Sequence, residues 1–488
     1  MATEAAEPFR APKLDRLGRV TVVANLVACG LVFLLMILFG LMMRMTQAGW
    51  LGLDPDRFYQ IMTVHGTGMV GIAALGGATV MWYFLSRYVR LSSGILAANL
   101  MLFVAGVVII LAADLLGGFA GAWTFLYPLP AISGGQWEAA AAFWHLLGLL
   151  LIGVGFLVLC LDIARGLIAG YGGLFAALGW PQLLGLSDRE LPPPAAVASS
   201  MSVIVTVLSL IAGALVIVLS MINLLVPEFT VDPLFAKNLI YFFGHAFINA
   251  TIYMAVIAVY ELLPGYTGRA WKSSKPFLAG WMGSTIMVLV IFPHHLLMDF
   301  AMPKWAMIMA QILSYTNSFP ALIVSGLGAL AIVHRSGIRW DVVSGLLFVA
   351  MFGWMAGVIP AVIDATIVIN SVMHNTLWVP GHFHFYLLLG VLPMILGFMY
   401  FLGRSTARLG AGSADGWAYV VYVLGALGFV LMFLFSGRHG VPRRWAEHLP
   451  EWMAYDQWAS VFATLVLLAA IWLVLRSLTG LGRFLAQK

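Results

Sequence analysis

The chain alternates between long apolar stretches and short polar interruptions. Twelve apolar runs stand out, at 19–44, 58–87, 93–117, 137–165, 201–226, 236–263, 274–298, 304–333, 340–369, 378–403, 415–436 and 456–478. Each reaches the roughly 20 residues that a helix rising about 1.5 Å per residue needs to cross the hydrocarbon of a bilayer. The pattern predicts an all-α integral membrane protein of twelve transmembrane helices. Too little chain remains between runs for a soluble unit, so residues 1–488 read as one transmembrane domain. The longest predicted internal loop is 168–200, with its Gly172-Gly173 pair and the Pro192-Pro193-Pro194 run.

Composition agrees. The chain is 62% hydrophobic and only 9% charged, with a mean hydropathy of +0.99, whereas a soluble domain is about one quarter charged. Placing both termini in the cytoplasm puts 18 of the 25 Lys and Arg residues in inner segments, the positive-inside asymmetry expected of a multi-pass protein of a bacterial inner (cell) membrane. The net charge of +5 then reports topology, and the partner it implies is the lipid bilayer, with no reason to invoke nucleic acid. Cys29 and Cys160, the two cysteines, both fall inside apolar runs. Neither a disulfide framework nor a thiolate metal site is expected.

Histidines break the apolar pattern. The stretch "HNTLWVPGHFHFYLLLG", residues 374–390, buries His382 and His384 at the head of a helix otherwise made of Leu, Phe and Val. An imidazole at that depth needs a hydrogen-bond partner or a metal. Counting 1.5 Å per residue along alternating helices places His65, His245, His294, His295, His382 and His384 in one layer near the outer surface. One histidine in a membrane helix is more often a hydrogen-bonded or water-contacting residue than a metal ligand, and His145, a lone case, is left unassigned. Six at one depth from four helices point to a shared metal or porphyrin layer. His382 and His384, two positions apart, face nearly opposite sides of their helix and suit two different sites. His294 and His295 sit at a helix end beside Pro293, where both rings can turn toward His245. Three neutral imidazoles suit copper, iron or zinc with a position left free. A His65–His384 pair would fill both axial positions of one heme iron, and His382 alone would leave its heme iron five-coordinate.

With these residues in place the chain resembles the catalytic subunit (subunit I) of the heme-copper oxidase superfamily, over essentially its full length. "HGTGM" resembles the low-spin heme segment and "GHAFIN" the first ligand segment of the non-heme metal. "PHH" resembles the second, "HNTLWVPGHFHF" the two-heme segment, and "GVPRRW" the heme-propionate segment. The resemblance implies His65 and His384 as ligands of a low-spin heme and His382 as the ligand of a high-spin heme. It implies His245, His294 and His295 around a copper or iron ion, and Arg443 and Arg444 at heme propionates, a task that guanidinium forks suit.

The departures bear on the chemistry. Oxygen reductases of this superfamily mostly carry a redox-active tyrosine four residues after the first metal histidine, where this chain has Asn249. A second branch places it on helix seven, where this chain has Val288. An amide has no accessible one-electron oxidation. Nitric oxide reductases lack that tyrosine, and reducing two NO to N2O needs two electrons, which a heme and a second metal supply. The expected function is therefore a divergent nitric oxide reductase with Asn249 in its active site. An oxygen reductase using Tyr241, Tyr253 or Tyr315 is the alternative, and a histidine-dependent solute transporter the third reading.

The superfamily's proton-delivering glutamate, two residues after the first metal histidine, is Phe247 here, and loop 88–95 lacks the carboxylate that starts its path. Tyr253, Tyr260, Glu261, Ser284, Thr285, Ser314, Tyr315, Thr316 and Asn317 are polar positions for another inner route, and Asp114 and Asp364 for an outer one. The chain has no Cys-x-x-Cys-His and too few cysteines for a copper pair. Electrons are expected from a smaller membrane-anchored donor subunit, of cupredoxin or cytochrome c type, or from quinol.

Overall fold

The computed structural model describes residues 9–403 and 413–486, apart from the side chains of residues 317–319, 321 and 322. Arg404, Arg408 and Lys488, counted above among the inner basic residues, and the side chain of Asn317 lie outside the described residues. Among the described residues the structure is all helix, with no strand and a single isolated bridge between Thr376 and Pro442.

Among the described residues, eleven helices are long and apolar enough to cross a membrane. We number them α1 (Arg16–Gln47), α2 (Pro55–Leu85), α3 (Ser93–Leu115), α4 (Ala139–Tyr171), α5 (Pro194–Leu225), α6 (Pro233–Thr267) and α7 (Lys275–Leu296). After α8 (Lys304–Ala321) follow α9 (Val342–Asp364), α10 (Trp378–Leu402), α11 (Ala414–Arg438) and α12 (Met453–Leu485). The expected run 304–333 is where the count departs from twelve continuous spans. It holds α8, then a π-helical turn at Leu322–Leu327, then a short helix Gly328–Val333. Pro320 inside α8 supplies the reason, because its ring displaces the preceding carbonyl and it has no N–H to give.

Helix starts follow from local chemistry. Asp15, Asp54, Ser92, Asp232 and Ser274 each cap a first turn by accepting from a backbone N–H three residues on, and Asp341 with Ser344 forms a reciprocal capping box at α9. Pro55 and Pro233 stand at the first helical positions, where a missing N–H costs nothing. The expected loop 168–200 is shorter than predicted, because α4 runs to Tyr171 and α5 begins at Pro194, with two single-turn helices between. Membrane helices extend past the hydrocarbon into the headgroup layer, so apolar runs underestimate their length.

The core lies between α2, α6 and α10, the most buried spans. Buried charges are matched: Asp456 binds Arg44 at 3.1 Å and His448 at 2.6 Å. His145 Nδ1 lies 2.7 Å from Asp114 Oδ1, both fully buried. Asp114 is therefore the partner of the lone histidine, away from the residues that line the central cavity.

Candidate functional site: a histidine-lined cavity at one end of the bundle

All six histidines singled out in the sequence line one cavity of about 370 Å³, together with Asn249, Arg443 and Arg444. They come from α2, α6, α7 and α10. The helices place them in three groups.

His65 on α2 and His384 on α10 face each other, ring centres 6.3 Å apart and planes 18° from parallel. His65 Nδ1 lies 2.7 Å from the Met36 carbonyl and His384 Nδ1 2.7 Å from the Pro380 carbonyl. A carbonyl only accepts, so each Nδ1 carries the proton and each Nε2 presents a lone pair to the cavity. A backbone carbonyl fixing the tautomer is the usual support of a metal-bound imidazole. Two metal–nitrogen bonds of about 2 Å laid end to end, with the rings beyond them, span a gap of this size. The pair fits a six-coordinate heme iron. Phe433 stacks on His384 at 5.0 Å, with the Arg44 guanidinium 4.8 Å from the Phe433 ring centre.

His245, His294 and His295 form a compact cluster, each offering a nitrogen within 4.8 Å of the others. α7 is α-helical only to Val290 and tightens into a 3₁₀ turn, Phe292–Leu296, at Pro293, which turns two consecutive rings toward α6. His245 Nδ1 and His295 Nε2 are 3.1 Å apart, as two nitrogens on one ion with bonds of about 2 Å would be. Ser314 settles the tautomer of His294. Its hydroxyl proton goes to the Ala310 carbonyl at 2.6 Å, so His294 Nδ1, 3.0 Å from the same oxygen, must donate. His294 Nε2 is then the nitrogen with a free lone pair. The three imidazoles fit a copper-type ion with a position open to the cavity.

His382 stands on the other side of α10 from His384, as their spacing requires, its Nδ1 buried without a partner among the described residues. It fits the single protein ligand of a second heme. Arg443 and Arg444 lie above, in the loop between α11 and α12. Arg443 N–H donates to the Asn375 carbonyl at 2.9 Å, and Arg444 Nη2 donates to Thr124 Oγ1 at 2.7 Å. Arg444 takes a left-handed φ of +67°, costing about 1 kcal/mol or more for a non-glycine residue and most often found at functional sites. Burial, then the neighbouring Arg444, brings Arg443 down to about 10, still a cation at neutral pH. Burial, then Arg443 and Arg444, pushes His374 on the cavity wall down to about 4, so it is neutral there.

Asn249 lines the cavity one turn from His245, its Nδ2 donating to the His245 carbonyl at 2.8 Å. Val288 is buried outside the lining. Of the three alternative tyrosines only Tyr241 reaches the cavity, stacked on His295 at 5.6 Å and 14°. Tyr253 packs on Trp281, and Tyr315 bonds Thr366 Oγ1 at 2.8 Å.

Of the polar inner positions, Thr285 and Thr316 bond carbonyls of their own helices, the usual habit of threonine in membrane helices. Tyr260 Oη meets Ser325 Oγ at 2.5 Å, a partner that the sequence did not single out. Glu261 is held by Arg87 and Tyr88. Asp364 lines the cavity and accepts from Asn370 Nδ2 at 3.2 Å.

Residues 20–470 match the family model for cytochrome c and quinol oxidase polypeptide I. The chain belongs to that family, and its membership carries hemes and a copper site. It is 25% identical to cytochrome c oxidase polypeptide 1 of Halobacterium salinarum over 458 residues, 86% of this chain and 70% of the relative. It is 26% identical to cytochrome c oxidase subunit 1 of Thermus thermophilus over 279 residues, 51% of this chain and 48% of the relative. Its fold matches that of a heme-copper terminal oxidase dimer solved by cryo-EM, with a TM-score of 0.75 and 19% identity over 96% of this chain and 84% of the other. It is an oxidoreductase of the heme-copper superfamily, an all-helical multi-pass membrane protein of the subunit I fold that works with further subunits or electron donors.

Proposed function

We propose that this chain is the catalytic subunit of a terminal oxygen reductase. One observation carries the reading: six histidines of four helices meet in one cavity, and backbone carbonyls or Ser314 fix the tautomers of His65, His384 and His294 so that their free nitrogens face inward. His65 and His384 would hold a low-spin heme, His382 a high-spin heme, and His245, His294 and His295 a copper ion. When bound, these groups accept and deliver single electrons and bind a diatomic gas. The chain's own residues orient them: Met36, Pro380 and Ser314 hold ring protons, and Arg443 and Arg444 supply cationic forks where heme carboxylates would project. The site lies toward the outer face of a bacterial inner membrane, with both termini cytoplasmic. Electrons come from a donor subunit of cupredoxin or cytochrome c type, or from quinol.

The relatives are named as cytochrome c oxidases, which favours dioxygen over the NO expected from Asn249. Breaking the O–O bond takes four electrons, one more than a single heme iron and a single copper ion would together deliver. Two tyrosines line the cavity, Tyr386 beside His382 and Tyr241 stacked on His295; Tyr241, beside the metal histidines, is the one proposed to give an electron with its phenolic proton. Nitric oxide reduction is the second reading, favoured by Asn249 at the metal histidines and Val288 on α7. The test is gas turnover by the purified complex fed electrons through a small mediator. Oxygen uptake without N2O formation, lowered at least tenfold in Tyr241→Phe at unchanged heme content, supports the first reading. N2O production from NO outpacing oxygen uptake, with Tyr241→Phe indifferent, establishes the second.

A further inference from the structure

α10 is not α-helical throughout. Between Tyr386 and Leu392 it widens into a π turn, Leu387–Val391, whose residues are all buried. In an α-helix the Leu392 N–H would bond the carbonyl four residues back, on Leu388. Here it bonds Leu387, five back, and the Leu388 carbonyl is left without its ladder partner. Tyr422 on α11 takes it, its buried hydroxyl donating at 2.8 Å. A buried carbonyl must be paired, so this hydroxyl is the natural complement of the widened turn.

α9 makes room for the same turn. A Cβ on Gly353 would stand 2.0 Å from the Leu389 carbonyl oxygen, and one on Gly357 3.0 Å from Phe385 Cβ. The small-xxx-small pair Gly353/Gly357 thus forms a groove in which the backbone of α10 lies. The consequence is rotational. One extra residue in a turn rotates the part before it by about 100° relative to the part after it. The part after, Leu392–Leu402, is fixed by its almost wholly buried side chains. The part before carries His382 and His384.

We propose that the π turn at Leu387–Val391, held by the Tyr422 hydroxyl and the Gly353–Gly357 groove, aims His382 and His384 together, making Tyr422 a positioning residue for both hemes. The proposal rests on the reading that these histidines hold the hemes. Because both rings ride on one short segment ahead of the turn, a disturbance there moves both sites at once.

Tyr422→Phe removes only the hydroxyl. Tyr419→Phe is the control, since Tyr419 Oη on the same helix also donates to a neighbouring helix's carbonyl, that of Gly345 on α9 at 3.3 Å, away from the turn. The readouts are the electron paramagnetic resonance signal of the low-spin heme and the iron–histidine stretching band of the reduced high-spin heme. Tyr422→Phe is expected to shift both and Tyr419→Phe neither, while Gly353→Ala loses more than half of both hemes. If the parent protein shows both signatures and Tyr422→Phe leaves them in place, moves one alone, or is matched by Tyr419→Phe, the proposal is overturned and the proposed function stands. A parent protein carrying no heme overturns both. Should Gly353→Ala not fold, the tyrosine pair decides.

Discussion

Ser314 shows how much a single hydroxyl decides. It gives its proton to Ala310 and thereby obliges His294 Nδ1 to donate, leaving the Nε2 lone pair free for the proposed copper ion. Supports of this kind are worth about 10- to 100-fold in metal affinity. Ser314→Ala should therefore lose copper by that factor when dialysed against a buffered metal, with the heme content unchanged; equal copper retention would show that the bond is idle. Replacing His65 by Ala should remove one of two hemes per chain and the low-spin signal with it, as read from heme extraction and paramagnetic resonance. The six histidines were legible in the sequence because depth along a helix is simple arithmetic and imidazole in hydrocarbon is costly. The part played by Ser314 was not, since its contact with His294 spans two helices and twenty residues. His374 and Arg44 also line the cavity, and no local pattern marks them apart from the position of His374 at the start of the two-heme segment.

Elements carry the next level of control. Helix number was nearly legible from apolar runs, but interruptions inside a run were not, because hydropathy is blind to a backbone hydrogen bond that slips from i–4 to i–5. Both π turns, Leu322–Leu327 and Leu387–Val391, fall in runs that read as continuous helix. Pro320 was the one visible sign of the first, and the Gly353-x-x-x-Gly357 spacing on α9 the indirect sign of the second. The broken eighth segment needs its end secured. Arg269, at the end of α6, donates to the carbonyls of Ala331, Ile332, His334 and Arg335, the shortest contact being 2.7 Å to His334. Hydrogen bonds from a charged donor contribute about 1.5–3 kcal/mol when well formed, and partial exposure here argues for the lower end. Arg269→Ala should lower the thermal midpoint in detergent and raise hydrogen exchange across 322–336 ahead of the rest of the chain. Uniform exchange with an unchanged midpoint would refute the capping role.

For the whole molecule, a bundle whose spans carry few charges gathers six histidines in one cavity. The histidine cavity follows from one constraint, that polar groups stay out of hydrocarbon unless something binds them, and the reading drawn from it is a heme-copper oxidoreductase. The family match and the Halobacterium relative agree with that reading at the level of the superfamily. The choice of gas turns instead on a few side chains, Tyr241, Asn249 and Val288, which a shared fold does not dictate. The central claim is that one cavity holds two porphyrins and one further metal. The measurement that tests it most directly is heme extraction with elemental analysis on the purified protein. Two hemes and one copper per chain are expected; one heme, or none, or two hemes without a third metal, would contradict it.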